Sequence, residues 1–129
     1  MISSQELLRR AQEISPYLIE LRRTLHQNPE LGGQEYGTQA LVLRELERMG
    51  IEARKCAGTG VVGLIRGGAP GRTIALRADM DALPLQEETG LPFSSENPGV
   101  MHACGHDTHT AALLGAARLL QEARDQLKG

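Results

Sequence analysis

Residues 101–109 read Met-His-Ala-Cys-Gly-His-Asp-Thr-His and bring His102, Cys104, His106, Asp107 and His109 into one short stretch. A thiolate and neutral imidazoles are borderline-soft donors, suited to zinc and other late divalent metals. His102, Cys104 and His106 are spaced by two, so in extended backbone they point the same way. Gly105 permits the tight path that wrapping around an ion requires. Asp107 is placed to fix an imidazole tautomer while capping the helix that follows. Any one of these residues alone reads first as structural, such as a small buried cysteine or a histidine bonded at a helix start. Their concentration in a glycine-bearing loop favours a metal site.

A second constellation is Ala-Leu-Arg-Ala-Asp-Met-Asp-Ala-Leu-Pro, residues 75–84. Asp79 and Asp81 follow the end of an apolar run, where open α/β sheets carry their functional groups. Alone they read equally as two solvated aspartates of a polar turn. Beside the Cys/His cluster, Arg77, Asp79 and Asp81 read as parts of the same site. Other candidates carry less. The glycines between 58 and 71 precede no Lys-Ser or Lys-Thr and open no helix, so they are turn glycines and not a phosphate cradle. No Gly-x-Ser-x-Gly supports a serine hydrolase. His26 lies at a helix end and reads as a partner for the dipole. Cys56 has no ligand near it in sequence.

These residues need elements to hold them. Ser3 and Glu6 fit a capping box, and Leu7, Leu8, Ala11, Ile14, Leu18, Leu21 and Leu25 form a helical apolar stripe. Pro16 predicts a break near Ser15, and Pro29 predicts a stop before it. A second helix is expected over 38–49, burying Val42, Leu43, Leu46 and Met49, with Gly50 ending it. Short β-type runs follow at 51–55, 61–65 and 73–77, the last two joined through a Gly-Gly-Ala-Pro-Gly turn at 67–71. Prolines at 84, 92 and 98 make 80–101 a long loop. A last helix, capped by Asp107, is expected to run to about residue 128.

The chain has 129 residues, enough for one domain, with 14 Lys plus Arg against 16 Asp plus Glu for a net charge of −2. That balance gives no footprint for nucleic acid and no polybasic segment for a membrane. The charged N-terminus is not a signal peptide, and no apolar run approaches the length of a bilayer span. Two cysteines are too few for a disulfide scaffold, and a cytoplasmic setting follows as the expectation. With one Phe, two Tyr and no Trp, the core must be aliphatic.

Residues 25–38 (LHQNPELGGQEYGT), 59–67 (TGVVGLIRG), 75–84 (ALRADMDALP) and 101–117 (MHACGHDTHTAALLGAA), in that order, resemble the metal-dependent amidohydrolase branch of the aminoacylase and carboxypeptidase G family. The resemblance runs from about residue 20 onward. It implies the N-terminal part of a three-layer α/β/α zinc-peptidase-like catalytic domain, occupying residues 1–129 and lacking a lid domain. It further implies that Cys104 bridges two divalent ions (Zn, Mn or Co), that His106 binds one of them, and that Asp81 orients a metal-bound imidazole. His102, Asp107, His109 and Asp79 match without an assigned role. The substrate implied is an N-acyl amino acid or a short peptide, whose amide is attacked by water after a glutamate takes its proton. That glutamate is expected beyond Gly129, since Glu87-Glu88 precedes the Cys-Gly-His motif. The expectation is therefore an inactive, weakly metal-binding chain, marginally stable or self-associating. A dipeptidase or carboxypeptidase of the wider group, or a non-catalytic metal-binding module, are the alternative readings.

Overall fold

The N-terminal stripe folds as two helices, α1 (Ser4–Glu13) and α2 (Ser15–Gln27), in a computed structural model that describes residues 2–129. Ser3 caps α1 by accepting the Glu6 amide at 3.1 Å, while the Glu6 carboxylate turns to Arg9 and leaves the capping box half made. The break falls where Pro16 required it. Pro16 sits in the first turn of α2, where its missing N–H costs no helical hydrogen bond. Helix α2 stops ahead of Pro29, and the Asn28 side chain donates back to the Thr24 carbonyl at 2.8 Å.

Helix α3 (Tyr36–Arg48) begins two residues earlier than expected because Glu30 caps it from outside. The Glu30 carboxylate accepts from the Gly37 and Thr38 amides at 2.9 and 2.6 Å. Gly50, with φ of 72°, ends the helix. Its N–H reaches the Glu47 carbonyl and that of Ile51 the Leu46 carbonyl, both at 2.9 Å, closing a Schellman turn.

The chain then makes one hairpin, β1 (Glu52–Cys56) against β2 (Gly60–Leu64), antiparallel, with Glu52 opposite Leu64. Its turn uses positive φ at Ala57 and Gly58. This corrects the expected hairpin at 67–71. Residues 67 and 69 instead pair with the C-terminal end: the Gly67 N–H donates to Gly129 at 2.7 Å and that of Gly129 to Ala69 at 2.8 Å. The run 73–77 forms no strand, and Ile74 is 82% exposed. Drawn away at 67–72, it meets no strand among the described residues that could take its backbone groups.

The loop over 80–101 is irregular, as its prolines demanded, yet pinned. Ala82 donates to Glu30 at 2.8 Å, Leu83 and Met101 exchange two hydrogen bonds, and Glu96 donates to Gln27 at 2.9 Å. Helix α4 (His106–Glu122) follows, then a 3-10 turn at Arg124–Gln126. Two expectations fail here. The N-cap is Gly105, with φ of 88°, not Asp107, and the helix ends before residue 128. Gly105 supplies the left-handed turn, which leaves Asp107 one turn-position inside the helix and facing α2.

The core is aliphatic, as the composition required: Leu21, Leu25, Leu41, Val42, Leu46, Ile51, Ala111 and Leu114. Each of the Leu, Ile and Val side chains contributes roughly 1.5–3 kcal/mol on burial. Leu43 and Met49, expected in this core, are only half-buried. Gly115 lets α4 close on α2, since a Cβ there would lie 2.8 Å from Leu18 Cδ2. Among the described residues no helix is long and apolar enough to cross a membrane.

Candidate metal centre

Two segments meet to make the site: the extended chain at 79–82 and the first turn of α4. Residues three apart on a helix share a face, so His106 and His109 stand together, their rings stacked at 5.5 Å. Thr110 fixes the α4 turn onto the other segment by donating its hydroxyl to the Asp79 carbonyl at 3.0 Å.

His106 Nδ1 lies 2.9 Å from Asp81 Oδ1 and 3.0 Å from the Asp81 carbonyl oxygen. With two oxygens facing it, Nδ1 carries the hydrogen, which leaves Nε2 as the basic nitrogen. That Nε2 stands 3.5 Å from Asp79 Oδ2. His109 Nδ1 lies 2.7 Å from Asp79 Oδ1. Hydrogen bonding from His109 holds the Asp79 carboxyl below its ordinary range. One ligand atom from each of Asp79, His106 and His109 falls within 4.8 Å of the others. A carboxylate and two imidazoles converging at that distance, one with its tautomer fixed, suit a zinc-like divalent ion.

His102 adds a further sign. It is buried, and among the described residues neither ring nitrogen has a hydrogen-bond partner. Burial pushes its pKa below the ordinary value, against the nearby charge of Asp107, and so favours the neutral ring. A buried imidazole with both nitrogens unpaired is costly unless something absent from the protein's own atoms completes it.

The expected common direction of His102, Cys104 and His106 is not observed. His102 is buried and Cys104 exposed, and the left-handed turn at Gly105 then redirects the chain, leaving His106 half-buried at the helix start. Cys104 stands outside the three-residue cluster, and both cysteines are free thiols. Arg77 is exposed, and among the described residues it enters none of the site's ion pairs.

Asp107 fixes an imidazole, but that of His26. Its Oδ2 accepts from His26 Nδ1 at 2.8 Å and from Arg22 Nε at 2.9 Å, and its Oδ1 from the Thr108 amide at 2.9 Å. His26 does lie in the last turn of α2, as its helix-end reading has it, but it is only 2% exposed and is also tied to side chains of other elements. Its Nε2 lies 3.0 Å from Glu87 Oε1, an ion-pair distance whose angle does not make a hydrogen bond. Burial raises the Glu87 carboxyl, but the Thr89 hydroxyl, the Ser95 amide and His26 outweigh burial and hold it at about 2. Arg22 and Arg23 lie over the Phe93 ring at 5.3 and 4.7 Å, closing the loop over this group. The one legible hint of the assembly was the spacing of Arg22 and His26, four apart on one face of α2. Nothing in sequence marked Glu87.

Residues 75–129 match the model of peptidase family M20/M25/M40. Over 127 residues the chain is 50% identical to thermostable carboxypeptidase 2 of Saccharolobus solfataricus, covering 97% of this chain and 32% of that protein. It is 46% identical over 129 residues to the N-acyl-L-amino acid amidohydrolase of Geobacillus stearothermophilus, covering 99% of this chain and 35% of the relative. Among solved structures, the Bacillus subtilis YXEP protein, a dinuclear metal-binding peptidase of the M20 family, matches with a TM-score of 0.87 at 48% identity, covering 92% of this chain and 33% of its own. The chain thus spans about a third of the length of the relatives it matches.

Proposed function

The chain belongs to peptidase family M20/M25/M40, and on that premise we propose that it forms the metal-holding part of a hydrolase that cleaves the amide bond of N-acyl amino acids. The observation that carries this reading is His106, held at Nδ1 by Asp81 with Nε2 turned toward Asp79. A divalent ion bound at such a centre supplies Lewis-acid polarisation of the amide carbonyl. The chain's own residues do the rest of what can be assigned. Asp81 keeps the proton on His106 Nδ1, and Asp79 and His109 complete a converging donor set. Cys104, exposed beside the Gly105 turn, joins that set as a thiolate when metal is present, and the full protein holds two ions. A cytoplasmic, reducing setting keeps that thiol free.

These residues alone do not hydrolyse amides. No glutamate joins the cluster among the described residues, and Glu87 is occupied by His26, Thr89 and Ser95. The test is a titration of the chain with Zn(II), Mn(II) and Co(II), followed by assay on N-benzoylglycine. The expected result is weak binding, abolished by His106→Ala, with no glycine released. Metal-dependent release would overturn the inactivity, and unchanged binding in His106→Ala would overturn the site. The relative named as a carboxypeptidase favours a second reading, in which short peptides are the substrates. A dipeptide that perturbs the spectrum of the cobalt-loaded chain where N-acyl amino acids do not would support it.

A further inference from the structure

Helix α4 carries two of the three clustered donors, yet the residue at its N-cap supplies no side-chain cap. Its N-cap is a glycine in the left-handed region, which offers no oxygen to the first amides. What holds this turn is Asp107, one residue and so about 100° round the helix from His106. Its carboxylate caps the Thr108 amide with one oxygen and is gripped from α2 through the other. Of the two groups that grip it, Arg22 reaches solvent, its side chain about one-third exposed, whereas His26 is enclosed. His26 also faces Glu87 from its far nitrogen, and Glu87 in turn accepts from Thr89 and from the Ser95 amide. From α2, one buried imidazole therefore reaches two other elements, the loop over 80–101 and the first turn of α4. That loop begins at the two aspartates of the site.

We propose that His26 is a positioning residue for the metal centre, setting the rotation of the first turn of α4 through Asp107 so that His106 and His109 converge on Asp79. The assignment rests on the reading of Asp79, His106 and His109 as a metal site. It adds that the site's precision comes from a histidine that binds neither metal nor substrate. Metal ligands commonly depend on such outer partners, whose loss costs about 10–100-fold in affinity.

The test uses three variants of the chain, with Co(II) as the probe and amide hydrogen exchange as a metal-independent readout. His26→Leu removes both contacts; Co(II) affinity falls about tenfold, and exchange at Thr108 and His109 quickens relative to the middle of α4. His26→Asn places an amide N–H near the position of Nδ1 and recovers most of both effects. Leu41→Ala, a core truncation on α3, lowers stability without moving either readout when variants are compared at equal fraction folded. The proposal is overturned if His26→Leu binds Co(II) as the parent does with unchanged exchange, or if Leu41→Ala reproduces its effects. Failure of the parent chain to bind Co(II) would remove the metal reading, and the exchange comparison would still decide whether His26 holds the turn.

Discussion

Replacing Asp81 by alanine tests how the His106 tautomer is held, and the structure sets the size of the effect. The carboxylate lies 2.9 Å from His106 Nδ1, and among the described residues its oxygens bond nothing else, so the fold does not depend on it. A hydrogen bond to a charged group contributes roughly 1.5–3 kcal/mol. Two features reduce that here. The Asp81 side chain is 40% exposed, so water screens the charge. The Asp81 carbonyl, at 3.0 Å from the same nitrogen, remains after substitution and still accepts its hydrogen. About 1–1.4 kcal/mol is left, a loss of roughly five- to tenfold in metal affinity. Asp81→Asn keeps a side-chain oxygen without the charge and should lose only about two- to threefold. Titration with Co(II), followed by absorbance and checked by calorimetry with Zn(II), measures both. A loss beyond about a hundredfold in Asp81→Ala would show that the carbonyl does not hold the tautomer. No loss in either variant would mean that His106 does not bind through Nε2.

Glu87 ties stability to pH. Its carboxyl is held at about 2 in the folded chain against an ordinary 4.5, so its contribution is complete above pH ~4.5 and fades as pH falls toward 2. Glu87→Gln should lower the urea midpoint at neutral pH and flatten its decline across that acid window; an unchanged acid slope would refute the assignment. Gly115→Ala should destabilise by about 1 kcal/mol, because the new methyl meets Leu18 Cδ2 at 2.8 Å and overpacking outweighs the gain in helix propensity. Thermal unfolding checks this, and a variant more stable than the parent would show that Leu18 yields freely.

The features legible in sequence were those set by near neighbours along the chain. Pro16, Pro29 and Gly50 punctuate the helices through their own stereochemistry, so they could be read without knowing the fold. Asp81 and His106 were legible because they sit in motifs. The run 73–77 misled because a β-type composition declares a preference for pairing and not a partner. His26 and Glu87 were missed for a related reason: what turns a helix-end histidine and a loop glutamate into buried partners is tertiary. His26 meets Asp107 across 81 positions of sequence. The start of α4 was misassigned because Asp107 has the side chain of a cap, whereas a left-handed glycine took that place and freed the carboxylate to face α2.

The long reach between α2 and α4 bears on the order in which the chain assembles. Helices α1 to α3 and the hairpin are joined by short connections and can form while the rest is still open. Docking α4 closes far larger loops, with His26 and Asp107 separated by 81 positions and Arg10 and Glu122 by 112. Their closure entropy must be met before the contacts return anything. Two donors of the metal site ride on α4, so the site is completed after the helices it rests on. An ion that recognises only the finished site leaves the folding rate unaltered and acts by slowing unfolding.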